Sequence, residues 1–266
     1  MRILCLHGRG TSAQIFRSQT TSFRSRLEDL PITFDFIDAP YTTTAASGID
    51  LFYEPPYYTF WRNDSPSDLY DARAWLLDLI AKKGPYDAVL AFSQGCSLAA
   101  LTLLLHAHET PHTPPPFKAA IFICGGTPLP LLEELGYDIT PDMRARDTES
   151  RKKLSIQADS ASILAKGADR WSGGDDAGEV IDEDRIRGEI ERSANGAVKI
   201  GVPTVHVYGR KDPRFVAGVQ LSGVCEETSR RVFDHGGGHD IPRSSVVSDR
   251  LAELVRWVLQ EGSLVV

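Results

Sequence analysis

The sequence predicts an α/β fold, with a mostly parallel central sheet of about six strands and helices on both faces. Short apolar runs rich in β-branched residues alternate along the chain with longer segments whose apolar residues recur at helical spacing. Strands that alternate with helices pair in parallel, and the connecting helices then cover both faces. A chain of 266 residues is long enough for one such domain, so we expect a single domain over residues 1–266.

The elements follow in a regular order. The predicted strands are Arg2–His7, Ile32–Ile37, Tyr86–Leu90, Ala119–Cys124, Thr204–Gly209 and Arg231–Asp234. The predicted helices are Ala13–Leu30, the stretch between the Ser65–Asp68 start signal and the Gly84–Pro85 stop signal, Cys96–Leu105, and a closing amphipathic helix through Val247–Val258.

The connection Pro128–Gly201 is too long for a simple crossover between two strands. It contains predicted helices near Glu149–Ala165 and Asp182–Ser193, separated by the acidic, glycine-rich stretch Gly167–Gly178. We interpret residues 128–201 as a cap or lid inserted over the edge of the sheet. The alternative is a longer crossover helix with a mobile loop.

Composition limits the classes of function. The hydrophobic fraction is 42% and the charged fraction 24%, values that are ordinary for a globular protein. The formal net charge of -7 and the pI near 5.5 argue against a nucleic-acid-binding protein. No apolar run approaches the ~18–20 residues of a membrane span. The chain starts directly with a strand and has no signal-peptide pattern, so we expect a cytoplasmic protein.

Neither the cysteines nor the histidines predict a metal site. The cysteines have no zinc-site spacing and stand at Cys5, Cys96, Cys124 and Cys225. Three histidines lie close together before a proline run, at His106, His108 and His112. A metal site needs a rigid scaffold, so we interpret them as part of a solvated loop. We expect no metal and no cofactor.

The stretch Ala91–Gly95 carries the strongest functional signal. It follows an apolar strand, precedes a long helical pattern and places Ser93 between small residues at Ala91 and Gly95. Strand, sharp turn and helix are the context of a nucleophile elbow, whose strained serine requires small neighbours two residues away on each side. The alternative is a serine that only caps the helix.

Two further residues extend this pattern in chain order. Asp212 follows the predicted strand Thr204–Gly209, and His239 lies in the glycine-rich loop after the last strand. The order Ser, Asp, His at strand ends is that of the α/β-hydrolase triad. His235 is an alternative base, and Asp234 and Asp240 are alternative acids.

The loop after the first strand supplies the remaining part of such a site. In this fold one oxyanion-hole amide comes from that loop and the other from the residue after the nucleophile. The backbone N–H groups of Arg9 and Gln94 are therefore the candidates. Gln94 opens a helix, where the N–H is unpaired and the dipole favours negative charge.

The stretch Asp38–Asn63 is unusually rich in aromatic residues and contains prolines that exclude a long helix. Its aromatic side chains either pack on the core or form one wall of an apolar substrate pocket. The substrate-binding candidates among them are Tyr53, Tyr57, Tyr58 and Trp61.

Taken together, these residues resemble the fungal FSH-type serine hydrolases. The resemblance rests on Leu4–Gly8, the aromatic stretch Phe52–Trp61, Gly84–Asp87, Ala91–Gly95, Gly209–Pro213 and His235–His239. It implies a compact α/β-hydrolase sheet and a triad of Ser93, Asp212 and His239. Family members include esterases and thioesterases that release polyketide chains, which implies an acyl ester or thioester substrate and an acyl carrier protein as a partner.

Two other functions remain open at this point. The same site could catalyse carbon–carbon bond cleavage or condensation on a polyketide intermediate. Alternatively, the fold could serve as a binding module without catalysis, because a fold does not determine a function.

Overall fold

The computed structural model describes residues 1–157 and 182–264. Its strands are β1 Arg2–Leu6, β2 Thr33–Ile37, β3 Tyr41–Thr43, β4 Tyr57–Thr59, β5 Ala88–Phe92, β6 Ala119–Ile123, β7 Thr204–Tyr208 and β8 Arg230–Asp234. Six of them form one sheet in the order β2-β1-β5-β6-β7-β8, and every neighbouring pair is parallel. This confirms the predicted sheet. The antiparallel pair β3–β4 stands apart as a short hairpin within the aromatic stretch.

The helices within the described ranges are α1 Ala13–Gln19, α2 Thr21–Arg24, α3 Pro66–Lys83, α4 Gln94–Glu109, α5 Leu129–Glu134, α6 Pro141–Gln157, α7 Glu183–Ser193, α8 Phe215–Gly223 and α9 Ser245–Glu261. Single 3₁₀ turns occur at Ser25–Leu27 and Glu227–Ser229.

Alternation along the strands builds a hydrophobic core on each face of the sheet. Leu4 and Leu6 of β1 pack in a cluster with α3 and α4, whereas Ile3 and Cys5 pack in a second cluster with α1 and α9. Successive strand side chains point to opposite faces, so a strand buried on both sides is apolar throughout. The sheet is therefore a rigid layer, and its carboxyl edge is available for the functional loops.

The predicted helix 13–30 is interrupted at Thr20, which caps α1 and keeps φ and ψ of -92° and -3°, at the edge of the helical region. Thr20 Oγ1 donates to the carbonyl of Phe16 at 2.8 Å, and Thr21 Oγ1 donates to that of Arg17 at 2.9 Å. Hydroxyls that bond back to the preceding turn bend or break helices. The expected single helix is therefore wrong, and two short helices and a 3₁₀ turn take its place.

The segment 128–201 contributes α5, α6 and α7 to the described structure. Helix α6 begins at Pro141, eight residues before the predicted start, and residues 158–165 of that prediction lie outside the described residues. Helix α7 agrees with its prediction, because Asp182 accepts hydrogen bonds from the N–H groups of Asp184 and Arg185 and caps it. The stretch Gly167–Gly178 also lies outside the described residues. The lid interpretation stays a prediction.

Across residues 1–157 and 182–264, the structure contains no helix with the length and apolar character that crossing a bilayer requires.

His206 makes the stability of this fold sensitive to acid. It lies in β7 with 1% exposure, its Nε2 is 3.0 Å from Thr204 Oγ1, and its ring contacts Phe122. Burial, reinforced by Arg230 and Arg187, lowers the pKa of His206 from 6.5 to about 3. The folded protein therefore keeps His206 neutral at a pH where the unfolded chain protonates it, so stability is lost as pH falls from 6.5 towards 3.

We expect His206→Gln to reduce that loss. A single group with this shift removes about 2 kcal/mol from the free energy of unfolding between pH 7 and pH 5, at about 1.4 kcal/mol per pH unit. Urea unfolding at both pH values measures the difference for the wild type, His206→Gln and the control His108→Gln at an exposed position. Equal losses in all three proteins would contradict the assignment.

Candidate active site

Ser93 occupies a strained turn between β5 and α4. Its φ of 51° and ψ of -113° are unusual for a residue with a side chain. Its N–H donates to the carbonyl of Ile123 at 3.0 Å, which holds the turn at the carboxyl end of the sheet. Strained backbone of this kind is retained where it positions a functional group, and here it presents the Ser93 hydroxyl at the sheet edge.

Small residues make this turn feasible. A Cβ at Gly95 would lie 2.3 Å from the carbonyl oxygen of Leu6, so helix α4 packs directly on the backbone of β1. A Cβ at Gly8 would lie 2.9 Å from the Phe92 ring and 3.3 Å from the Ser93 Cβ. The loop after β1 therefore lies against the turn. Ala91 is fully buried, and its methyl group is accommodated within the core.

The structure brings Ser93, His239 and Asp212 together. His239 Nε2 is 3.0 Å from Ser93 Oγ, and His239 Nδ1 is 2.7 Å from Asp212 Oδ2. The side chain of Asp212 is 1% exposed and that of His239 is 11% exposed. The three residues follow β5, β7 and β8, whose carboxyl ends meet at one edge of the parallel sheet.

Both carboxylate oxygens of Asp212 have partners. Oδ2 faces His239, and Oδ1 accepts the backbone N–H of Arg214 at 2.7 Å. A carboxylate cannot donate, so Nδ1 of His239 carries the proton and Nε2 is left as an acceptor towards Ser93. The arrangement can therefore remove a proton from the serine hydroxyl.

The two predicted oxyanion amides belong to the two segments next to this serine. The Arg9 N–H belongs to the loop that packs against Ser93, and the Gln94 N–H opens α4. Within residues 1–157 and 182–264, neither N–H donates a hydrogen bond to another backbone or side-chain acceptor. Both remain free for an anionic oxygen.

The side chain of Gln94 has a role that the sequence pattern did not indicate. Its Oε1 accepts the Phe60 N–H at 3.0 Å and the Thr59 hydroxyl at 3.1 Å. Gln94 thereby fixes the hairpin β3–β4 beside the serine. The sequence gives no signal for this contact, because it depends on the burial of the Gln94 side chain, and burial is set by tertiary packing.

The four predicted substrate-binding residues belong to the aromatic stretch beside this loop. Tyr58 pairs through its backbone with Gly10 and Thr11, next to Arg9. Tyr57 and Trp61 are buried, at 8% and 4% exposure, and Tyr53 Oη is 3.1 Å from Ser18 Oγ. Trp61 packs in the core, so the aromatic residues serve packing as well. Their contact with substrate stays a prediction.

Two of the alternative acid and base residues, His235 and Asp234, have other partners. His235 Nδ1 accepts the Gly237 N–H at 3.1 Å, and its Nε2 is 3.8 Å from Cys124 Sγ. Burial lowers the pKa of His235. Asp234 Oδ2 accepts from Arg210 Nε at 2.9 Å. The surroundings of His235 and Asp234 are those of structural groups that support the two loops. The third alternative, Asp240, has a buried Oδ1 without a hydrogen-bond partner among the described residues.

Cys124, Asp212 and His239 offer ligand atoms within 4.8 Å of one another. Tetrahedral zinc holds ligand atoms at about 2.0–2.3 Å, which separates them from each other by more than about 3 Å. The 2.7 Å contact between Asp212 and His239 is instead that of a hydrogen bond. Burial also raises the pKa of the Cys124 thiol well above its usual value, which disfavours the thiolate form.

Comparison with known proteins finds one matching family and several curated relatives. Residues 1–251 match the protein family described as "Serine hydrolase (FSH1)". Esterase FPY3 of Fusarium mangiferae is 32% identical over 265 residues, which cover 98% of each chain. Esterase alnB of Emericella nidulans is 28% identical over 98% of this chain and 97% of its own. Hydrolase FUB4 of Fusarium oxysporum f. sp. lycopersici is 29% identical, with 96% and 97% covered.

Two solved structures share the fold. Esterase PE8 has a TM-score of 0.50 at 18% identity and matches 97% of this chain and 92% of its own. The Bacillus cereus carboxylesterase also has a TM-score of 0.50, at 13% identity, and matches 97% of this chain and 87% of its own. At these identities the likeness concerns the fold alone, which is that of an α/β-hydrolase.

Proposed function

The chain belongs to the serine hydrolase (FSH1) family and is a hydrolytic enzyme of the esterase type, and on that premise we propose that it cleaves acyl esters or thioesters through Ser93, His239 and Asp212. One observation carries the proposal: a continuous hydrogen-bonded chain from Ser93 Oγ through His239 to Asp212, beginning at a strained turn. A serine hydroxyl is a weak nucleophile at neutral pH and needs such a base beside it.

Acylation begins when Ser93 Oγ attacks the acyl carbonyl and His239 Nε2 accepts the hydroxyl proton. Asp212 holds the imidazole in the required tautomer and stabilises the imidazolium that forms. The N–H groups of Arg9 and Gln94 bind the oxyanion of the tetrahedral intermediate, and each donor contributes about 3 kcal/mol.

The leaving group then takes the proton from His239 Nε2 as the bond between the carbonyl carbon and that group breaks. A water molecule repeats the sequence on the acyl-enzyme, with His239 as its base. The carboxylic acid leaves and Ser93 regains its proton, so the cycle consumes one water and releases an acid and an alcohol or thiol.

The substrate is proposed to be an apolar acyl chain of polyketide or fatty acyl type, in part because Tyr58 of the aromatic stretch pairs with the loop that carries Arg9. Tyr53, Tyr57, Tyr58 and Trp61 are the proposed wall of its binding site. An acyl carrier protein is a proposed source of the thioester, and the cytoplasm the proposed location. The segment 128–201 is proposed to act as a cap.

Covalent labelling tests the proposed function. A fluorophosphonate probe should modify the protein once, and peptide mass spectrometry should map the adduct to Ser93. The unlabelled protein should hydrolyse an acyl p-nitrophenyl ester and an acyl N-acetylcysteamine thioester. Labelling without hydrolysis of either would favour carbon–carbon bond chemistry, and the absence of labelling would favour a binding module.

A further inference from the structure

Arg214 joins the loop that carries Asp212 to helix α6 of the segment 128–201. Its backbone N–H donates to Asp212 Oδ1 at 2.7 Å. Its Nη1 donates to Asp147 Oδ1 at 2.7 Å and to Ser150 Oγ at 2.6 Å, both on α6. One residue therefore contacts the proposed catalytic acid through its main chain and the segment 128–201 through its side chain.

The ion pair between Arg214 and Asp147 is largely withdrawn from solvent, with side-chain exposures of 11% and 17%. Burial lowers the pKa of the Arg214 guanidinium, and the carboxylates of Asp147 and Asp212 oppose that shift. Burial alone would raise the pKa of Asp147, but Arg214 and Arg151 hold it below its usual value. Both groups are therefore charged at neutral pH, and Arg214 experiences two carboxylates.

A buried cation beside Asp212 competes with His239. The charge of Asp212 stabilises the imidazolium that forms when His239 takes the proton of Ser93. A guanidinium that turned towards Asp212 would share that charge and reduce its effect on the imidazole. The hydrogen bonds to Asp147 and Ser150 hold the guanidinium on α6 instead.

We propose that Asp147 is the counter-ion that keeps Arg214 from the Asp212 carboxylate, and so reserves the charge of that carboxylate for His239. Asp147 is in this view a positioning residue that acts through Arg214. Because it lies on α6, the segment 128–201 contributes to the strength of the catalytic base. The inference rests on the proposed function, in which Asp212 and His239 are the acid and the base.

In the described part of the chain, few other ionisable groups lie near the Asp147–Arg214 pair and the Asp212–His239 pair. Cys124 Sγ and the ring of Phe92 lie beside His239, and His235 lies beside Cys124. The partly buried carboxylate of Asp240 acts electrostatically on both Cys124 and His235. Arg151 donates from Nε to Asp147 Oδ2 at 2.8 Å and also pairs with Asp64. Arg151 therefore remains as a partner for Asp147 when Arg214 is replaced.

The test compares the pH dependence of kcat/KM for an acyl p-nitrophenyl ester in three variants of the full chain. Asp147→Asn keeps the shape of the side chain and removes its charge, so the Arg214 guanidinium should interact with the Asp212 carboxylate instead. The acidic limb of the pH profile of kcat/KM should then move to lower pH by roughly 0.5–1 unit. Arg214→Met removes the competing cation, so the limb should move to higher pH. Because Asp147 acts through Arg214, the double variant should behave like Arg214→Met, and a double variant halfway between the two single variants would contradict the proposed coupling.

The two single variants should therefore shift the acidic limb in opposite directions. A purely structural role of Asp147 would change the thermal stability without shifting the acidic limb. Glu133→Gln is the matched control, because it breaks another ion pair of α6, Arg144–Glu133, which joins α6 to α5 and whose side chains are 42% and 53% exposed. Its limb should coincide with that of the wild type.

The inference would be overturned if Asp147→Asn folds and its acidic limb lies at the same pH as that of the wild type. If that variant does not fold, Arg214→Met decides alone, and a limb that stays in place or moves to lower pH contradicts it. Fluorophosphonate labelling of Ser93 in every variant separates this outcome from failure of the proposed function, in which the wild type itself would remain unlabelled.

Discussion

Ser93→Ala is expected to lower kcat for an activated ester by about 10⁵- to 10⁶-fold. The alanine variant keeps the backbone turn, the oxyanion amides and the His239–Asp212 pair, but it has no oxygen to form the acyl-enzyme. A residual rate above that in water should remain, because the amides still stabilise the oxyanion. Steady-state kinetics with purified protein measures the loss.

Two observations would test that expectation further. Ser67→Ala, at an exposed position of α3, serves as the control and should retain wild-type kcat. Ser93→Gly should be equally inactive but more stable than Ser93→Ala by about 1 kcal/mol, because glycine adopts a φ of 51° without strain. Near-normal turnover in Ser93→Ala would remove the nucleophile from the scheme.

Asp212→Asn is expected to lower kcat by about 10⁴-fold with little change in KM. The hydrogen bonds of Asp212 explain this expected loss. The backbone N–H of Arg214 donates to Oδ1, so the asparagine must present its carbonyl oxygen there and turn its NH₂ group towards His239. An NH₂ donor facing Nδ1 forces the proton onto Nε2, which can then no longer accept the proton of Ser93.

The measurement is kcat across the pH range, together with the rate of fluorophosphonate labelling at Ser93. Both should fall in parallel, since each depends on the same proton transfer. Asp234→Asn is the matched control, because Asp234 also lies at the end of a strand but pairs with Arg210. A loss of less than tenfold in Asp212→Asn would indicate that this carboxylate does not orient the base.

The sequence determined which residues could form the site because the relevant constraints are local. The turn at Ser93 needs a small residue at position 95, and the sequence Ala91–Gly95 has glycine there. Each strand is recognisable from its own apolar run, and parallel strands bring their carboxyl ends together. The order of Ser93, Asp212 and a histidine loop after such strands was therefore sufficient to name these groups as candidates.

Tertiary structure decided what depends on contacts between distant parts of the chain. The histidine loop offers two imidazoles, and only packing places His239 Nε2 at 3.0 Å from Ser93 Oγ while His235 turns towards Cys124. The helix break at Thr20 was also not predicted. A threonine whose hydroxyl bonds to the preceding turn of its helix cannot be distinguished by sequence from one whose hydroxyl does not.

The contact of Arg214 with Asp147 joins residues that are far apart in the chain, and no periodicity or motif relates them. The sequence by itself thus determined the strands, the turn at Ser93 and the set of candidate groups, since these depend on local backbone geometry and burial. Which groups meet, which proton each one holds and which charge faces Asp212 were decided only when the helices packed against the sheet edge.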